Sequence, residues 1–269
     1  ITNNTASSSG ISYGGGIYSE SGVTIRNMTI TGNSANVGGG IYGKGAITLT
    51  DATVADNSGY DVRYDGQEST TPKLTVSGSV KAGYYANYAW KLPIFVSGAL
   101  SEDSVIRVGV YEGIKPNAGG SLLIAEPASG VTLSAENFQA DAADSVTSLG
   151  EDGKVYLSLC AHEMDDTGYI CKKCHTQFDA RIGESAYYQT LAKAFQNARD
   201  GSTITLMRDV NLNGSCSASD TITLDLHGKT ITSEDRPISV TKKLTVKDSS
   251  KGGGTQALNV KFSVGSNGT

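Results

Sequence analysis

Apolar and polar residues alternate along roughly the first 60 positions of the chain, and the pattern returns every 24 residues. The string GGGIY stands at positions 14–18 and again at 38–42. The positions after it return at the same offset, so that Val23, Ile25, Met28, Ile30 and Asn33 reappear as Ile47, Leu49, Ala52, Val54 and Asn57. Alternation with a period of two is typical of β-strands that bury one face.

A repeat of this length predicts a solenoid. Three short strands joined by glycine corners need about 22 to 25 residues, which is one coil of a parallel β-helix, and each coil buries its apolar face against the next. We therefore predict that residues 1–66 form parallel coils, with Ile17 beneath Ile41 and Val23 beneath Ile47. The glycines are expected to make the corners.

The stretch ITGNSANVGGGIYGKGAITLTDATVADNSG, residues 30–59, resembles the glycine-rich, adhesin-like repeats of large surface proteins of Gram-positive gut bacteria. Those repeats are similar in turn to the pectate-lyase-like right-handed β-helix superfamily. The resemblance is clear over residues 1–60. It implies an all-β, right-handed parallel β-helix that is secreted or displayed on the bacterial surface. It also implies a side-chain ladder of Asn33 and Asn57, although asparagine tolerates a turn without any ladder.

The glycine corners stop after residue 66. Residues 67–159 keep the alternation, for example at 94–100 and 105–110, without the 24-residue register. They are interpreted as irregular β coils that close the solenoid, since an open end would expose strand edges. A small separate β-sandwich is the alternative.

The period changes from 2 to 3.6 near residue 190, which predicts one short amphipathic capping helix. Leu191, Ala194, Phe195 and Ala198 fall on one face, Thr190 is a candidate N-cap, and Gly201 is a candidate end of the helix. Strands are predicted to follow at 203–206, 222–226, 238–240 and 244–246. Residues 183–269 are thus predicted to be the capping helix and first coils of a second β-helix, so that the chain resembles part of a tandem array.

The amino-acid composition argues against two classes of function. Among 269 residues there are 33 glycines and only five prolines, as expected of an all-β chain, and the net charge of −5 argues against a nucleic-acid partner. The sequence contains no run of 18 apolar residues, so no membrane insertion is predicted within this fragment. The chain starts inside a repeat without methionine, and we expect it to be an excised fragment.

The segment CAHEMDDTGYICKKCH places Cys160, His162, Cys171 and Cys174 in two close pairs. Thiolate and imidazole are the ligands that Zn²⁺ prefers in closed tetrahedral sites, so residues 160–182 are predicted to be a zinc-ribbon-like linker with a small hairpin between the pairs. Two alternatives remain open: a disulfide, either between Cys171 and Cys174 or involving Cys216, and haem attachment at CKKCH with His175 as axial ligand. Cys216 is otherwise expected to be a small residue in a turn.

Catalysis is not predicted from the sequence. The pectate-lyase-like fold hosts lyases and glycosidases, which need acidic clusters aligned on successive coils. Asp51 and Asp56 are the candidates, but one coil earlier the same register holds Asn27 and Gly32. His227 is interpreted as a turn or surface histidine. We therefore assign no catalytic residue, with a polysaccharide lyase or glycoside hydrolase fragment kept as an alternative.

Aromatic residues suggest binding instead. The chain has 13 tyrosines, and Tyr84, Tyr85, Tyr88 and Trp90 cluster in one stretch. Exposed aromatics bind sugars and proteins alike, whereas the same rings could also pack against the β-helix. We hypothesise a non-catalytic surface module for adhesion or binding, whose partner is a host glycoprotein, a mucin glycan or a secreted immunoglobulin. A purely structural spacer is the other alternative.

Overall fold

A computed structural model of the chain describes residues 1–66, 73–86, 92–117, 119–142, 144–212, 215–233 and 238–250, and the backbone of two short strands at Leu258–Asn259 and Phe262–Val264. The chain divides into two compact units, Ile1–Cys160 and Ala161–Thr269. Together their strands make about nine β-solenoid turns.

The first unit is all β. Its strands are β1 (Ile17–Ser19), β2 (Val23–Thr31), β3 (Ile41–Gly43), β4 (Ile47–Ala55), β5 (Val62–Tyr64), β6 (Leu74–Ala86), β7 (Ile94–Leu100), β8 (Val105–Val110), β9 (Ser121–Pro127), β10 (Phe138–Ala140), β11 (Ser145–Leu149) and β12 (Val155–Leu159). Two short 3-10 helices lie at Glu112–Ile114 and Ala135–Asn137.

The predicted register of the first coils is confirmed. Strand β1 pairs with β3 in parallel and places Ile17 opposite Ile41. Strand β2 pairs with β4 in parallel and places Val23 opposite Ile47. The apolar residues of β4 alternate with more exposed ones and are fully buried at Ile47, Leu49 and Val54, as a half-buried strand requires.

Each coil bends once inside its long strand. Asn27 and Asp51 have φ angles of 48° and 47°, and both lie between paired residues of β2 and β4. The apolar residues on either side of this left-handed bend therefore belong to one nine-residue strand. Asparagine and aspartate tolerate this conformation better than most residues with a side chain.

Glycine is required in the triplets for two separate reasons. Gly14 and Gly38 have φ angles of 63° and 62°, in the left-handed region that glycine adopts without steric cost. The next glycine of the second triplet is needed for close approach, because a Cβ atom on Gly39 would lie 1.8 Å from the carbonyl oxygen of Ser58. The corners thus let neighbouring backbones touch.

An asparagine ladder runs along the corner, as the resemblance implied. The side-chain amide of Asn33 donates to Oδ1 of Asn57 at 3.0 Å, and that of Asn4 donates to Oδ1 of Asn33 at 2.9 Å. The amide of Asn57 in turn donates to the carboxylate of Asp61 at 3.1 Å. Asn33 is 1% exposed, so its hydrogen bonds replace contacts with water.

The parallel stacking continues beyond residue 66. Strand β6 pairs with both β4 and β5, β7 and β8 pair with β6, and β9 and β10 pair with β7 and β8, all in parallel. The unit ends in an antiparallel hairpin of β11 and β12, in which β12 also pairs with β9. One hydrophobic core joins these coils from Ile25 to Leu157.

The second unit is a shorter set of coils preceded by a helix. Its elements are β13 (Ala180–Ile182), β14 (Ala186–Tyr188), α1 (Leu191–Asn197), β15 (Thr203–Leu206), β16 (Val210–Asn211), β17 (Cys216–Ala218), β18 (Thr221–Asp225), β19 (Ile231–Thr232), β20 (Ile238–Val240), β21 (Lys243–Lys247), β22 (Leu258–Asn259) and β23 (Phe262–Val264). Three parallel stacks form its coils: β15 with β18 and β21, β16 with β19 and β22, and β17 with β20 and β23.

Helix α1 begins as predicted and ends earlier. The Thr190 hydroxyl accepts a hydrogen bond from the Lys193 amide at 3.2 Å, and Leu191, Ala194 and Phe195 are buried. The expected end at Gly201 is wrong. Ala198 already has an extended backbone with ψ of 148°, because the chain must turn into β15.

Cys216 lies in strand β17, so the expectation of a turn residue is also wrong. Its side chain is 2% exposed and belongs to the second hydrophobic core, which extends from Ala180 to Val240. Within the described residues, the structure has no helix with the length and apolar composition needed to cross a membrane.

The glycine corner can be tested by adding one methyl group. Gly39→Ala should lower the free energy of unfolding by about 3 kcal/mol, because its Cβ atom would overlap the Ser58 carbonyl. Gly10→Ala is the matched control, since nothing lies within 4 Å of the corresponding Cβ position. Urea denaturation of the full chain measures both. Equal stability of the two variants would contradict the close approach at the corner.

The asparagine ladder predicts a large effect at its buried member. Asn33→Ala should cost about 3 kcal/mol of unfolding free energy, because it removes the side-chain hydrogen bonds to Asn4 and Asn57. The backbone amide of Asn4 also loses its acceptor. Asn36→Ala serves as control, since Asn36 is exposed and accepts only from Ser12. A loss no greater than that of the control would show that the ladder does not stabilise the coils.

Candidate metal centre

The cysteine-containing segment folds as two tight reversals. Met164 and Cys171 form an antiparallel bridge, and so do Ile170 and Gln177. The first reversal closes where the Gly168 amide donates to the Asp165 carbonyl at 3.0 Å. The hairpin predicted between the two ligand pairs is confirmed, and it brings Cys171 back towards the start of the segment.

The four predicted ligands converge. The sulfur atoms of Cys160, Cys171 and Cys174 and a ring nitrogen of His162 all lie within 4.8 Å of one another. Sγ of Cys174 lies 3.5 Å from Nδ1 of His162. With metal bonds of about 2.0 to 2.3 Å, as in structural zinc sites, tetrahedral ligand atoms stand about 3.3 to 3.8 Å apart. The group could therefore hold a metal ion after a small contraction.

The environment favours the thiolate form of Cys171. Burial raises the pKa of this thiol, but hydrogen bonds from the Cys174 amide, the His162 side chain and the Glu163 and Lys173 amides outweigh burial and lower the pKa to about 6. The Lys173 amide lies 3.4 Å from the sulfur. A thiolate is the form that binds a metal ion.

Aromatic rings hold the imidazole of His162. Its centroid lies 4.7 Å from that of Phe178 and 5.7 Å from that of Tyr187, in edge-to-face arrangements. Phe178 is 1% exposed. Such packing restricts the ring and orients it towards the cysteines. Neither aromatic residue was predicted, because nothing in their spacing links them to the cluster.

The other cysteine and histidine of the alternative interpretations lie outside the cluster. Cys216 is in the second core, where burial raises the pKa of its thiol to about 11. His175 is exposed with φ of 54°, and the Cys/His cluster contains His162 instead. The four cysteines, all within the described residues, form no disulfide.

The segment lacks a hydrophobic core of its own. The first core ends at Leu157 and the second begins at Ala180, so the described residues between them contribute to neither. Cys160, Cys171 and Phe178 are buried within this short stretch. Stabilisation must therefore come from local contacts or from a bound ion.

The predicted ligand-contact residues differ in position. Tyr84 faces the core at 1% exposure, and burial raises the pKa of its hydroxyl. Tyr85, its neighbour in β6, is partly exposed and stacks on Tyr60 at 4.1 Å. Tyr88 and Trp90 lie outside the described residues. Tyr84 is thus placed in the interior rather than on a recognition surface.

The two acidic candidates for catalysis occupy left-handed corners. Asp51 and Asp56 have φ angles of 47° and 56°, and one coil earlier Asn27 and Gly32 have φ angles of 48° and 68°. Oδ1 of Asp51 also accepts a hydrogen bond from the Ser79 amide at 2.9 Å. Backbone conformation accounts for these residues without catalysis. His227, with φ of 46° and an exposed side chain, lies in a turn as predicted.

Comparison of the chain with protein-family models, with curated proteins and with solved structures finds no match to any of them. The proposed function therefore rests on the β-solenoid and the Cys/His cluster.

Proposed function

We propose that this chain is a non-catalytic β-solenoid module of an extracellular bacterial surface protein, that it binds a host glycoprotein, glycan or immunoglobulin, and that Cys160, His162, Cys171 and Cys174 hold a structural Zn²⁺. The proposal also takes the coils to be right-handed, which agrees with the strong preference of parallel crossover connections. The surface location rests on the resemblance of the 24-residue repeats.

One observation supports the non-catalytic part above the others. Two acidic residues at the solenoid corners are engaged by the fold: Asp51 accepts a hydrogen bond from a backbone amide, and Asp61 ends the asparagine ladder. Glycosidic cleavage needs carboxylates that face the substrate as acid, base or nucleophile. Carboxylates that satisfy backbone and ladder donors are poorly placed for such work.

Zinc is supported by the ligand chemistry. Three thiols and one imidazole make a Cys₃His set, which is typical of closed structural zinc sites. An ion bound there would supply the stabilisation that a segment between two cores lacks.

Binding is supported by aromatic rings that face solvent. Tyr13 and Tyr60 of the first unit are 38% and 45% exposed. Exposed aromatic residues are enriched at recognition surfaces because they offer large, rigid contact areas.

The zinc site predicts one Zn²⁺ per chain in protein purified without a metal-binding tag, measured by elemental analysis. Cys171→Ser should abolish this stoichiometry and raise amide exchange in residues 160–178, while amides of both cores stay protected. Cys216→Ser is the matched control and should keep the metal, because Cys216 lies in the second core. Metal-free wild-type protein with Cys171 and Cys174 oxidised would favour the disulfide.

The binding function predicts that the full chain retains purified mucin or purified immunoglobulin on a biosensor. It should release neither reducing ends nor unsaturated products from pectin, alginate, glycosaminoglycan or mucin glycans. Product formation that disappears in Asp51→Asn or Asp56→Asn would overturn the proposal in favour of a lyase or hydrolase. Neither binding nor products would leave the spacer as the function.

A further inference from the structure

We propose that a small polar pocket on the first unit binds one ring of a neutral carbohydrate. This rests on the proposed function, and it names the site and the ligand class. The pocket has a volume of about 170 Å³. The lining residues that matter here are Tyr60, Asp61, Gly83, Arg107, Gly109 and Asp141.

Two glycines create the depression. Residues in strand register form a column along successive coils, namely Tyr18, Tyr42, Arg63, Tyr85 and Gly109. The column of long side chains ends at Gly109, where a Cβ atom would lie 3.0 Å from the Tyr85 ring and 3.3 Å from the Asp141 carboxylate. At Gly83 a Cβ atom would lie 2.6 Å from Asp61. Any side chain at these two positions would occupy the pocket.

The polar groups of the pocket suit hydroxyl groups. The guanidinium of Arg107 is half-exposed and lies 3.1 Å from Oδ2 of Asp61, which is 3% exposed. Asp141 is exposed on the other side of Gly109. A sugar hydroxyl both donates and accepts, so it can bond to the exposed carboxylate of Asp141 and to the half-exposed guanidinium of Arg107 together.

Charge selects against acidic sugars. The pocket is lined by two carboxylates, those of Asp61 and Asp141, and by one guanidinium, that of Arg107. An anionic ligand would therefore meet an excess of negative charge, at a distance where like charges repel. A neutral ligand avoids this cost.

A tyrosine wall offers the apolar face that a sugar ring needs. The ring of Tyr60 is 45% exposed and stacks on Tyr85 at 4.1 Å with an interplanar angle of 16°. The guanidinium of Arg63 lies 5.0 Å from the Tyr85 centroid and holds that ring from another side. The volume is well below the range of about 300 to 1,000 Å³ that accommodates drug-sized ligands, which fits a single sugar ring.

The backbone conformation at residue 60 does not favour an aromatic side chain such as that of Tyr60. Its φ of 73° lies in the left-handed region, where asparagine or glycine is favoured and a bulky residue is strained. Such strain is found preferentially at functional sites. The ring is therefore placed in the pocket wall against the local conformational preference.

The test uses the full chain and the methyl glycosides of glucose, galactose, mannose and N-acetylglucosamine, with glucuronic and galacturonic acid as charged comparisons. Ligand-detected NMR titration should show saturable binding of at least one neutral sugar and weaker binding of the acids. Tyr60→Asn should weaken the binding by about tenfold, as the loss of a central aromatic does. Its melting temperature should stay equal or rise, because asparagine relaxes the backbone.

Tyr18→Asn is the matched control, because Tyr18 has the same 45% exposure and lies outside the pocket. It should leave sugar affinity unchanged. The proposal is overturned if no neutral sugar binds, if the acids bind more tightly, or if Tyr60→Asn binds as well as wild type. Mucin or immunoglobulin retained equally by wild type and Tyr60→Asn would reject the pocket and leave the proposed function standing. Sugar binding together with release of products would instead keep the pocket and reject the non-catalytic role.

Discussion

Contact between the backbones of neighbouring coils at the glycine corners is the constraint on which the first unit depends. A parallel stack holds its strands about 4.8 Å apart along the solenoid, and the corners must match that spacing without side chains between them. At Gly39 the room for a Cβ atom is absent, since the Ser58 carbonyl would lie 1.8 Å away. The same close approach sets Asn33 and Asn57 at hydrogen-bonding distance.

The hydrogen bonds of the asparagine ladder all run in one direction, and the residue that ends the ladder determines where an ion pair forms. Each asparagine donates to the next, from Asn4 through Asn33 to Asn57, so the last donor needs an acceptor. Asp61 supplies that acceptor as a buried carboxylate, and a buried charge requires a counterion. Arg107 provides it from a later coil at 3.1 Å. The ion pair beside the proposed sugar pocket thus follows from the packing of the corner.

The sequence predicted the fold where the repeat was strict. Val23 pairs with Ile47 because both occupy the same position of two repeats of equal length. After residue 66 the partners are Ile47 with Leu74 and Ile106 with Phe138, at offsets that vary between coils. A fixed period cannot find such pairs. For the same reason the ion pair of Arg107 with Asp61 could not be predicted, whereas the Cys/His cluster was predictable from local spacing alone.

Alternation could have separated Tyr84 from Tyr85. Val80, Ala82, Tyr84 and Ala86 are all buried members of one strand, so the period of two puts Tyr84 inside and its neighbour outside. To interpret the acidic residues, one must also know which residues occupy the same register position on neighbouring coils. Asp51 stands above Asn27 at a left-handed bend, and the property common to the two side chains is tolerance of that backbone rather than charge. In a solenoid, an acidic residue whose equivalent position on a neighbouring coil holds asparagine or glycine therefore indicates a left-handed corner of the backbone. An exposed carboxylate that lines the pocket and has no left-handed backbone, such as that of Asp141, is a better candidate for contact with a ligand.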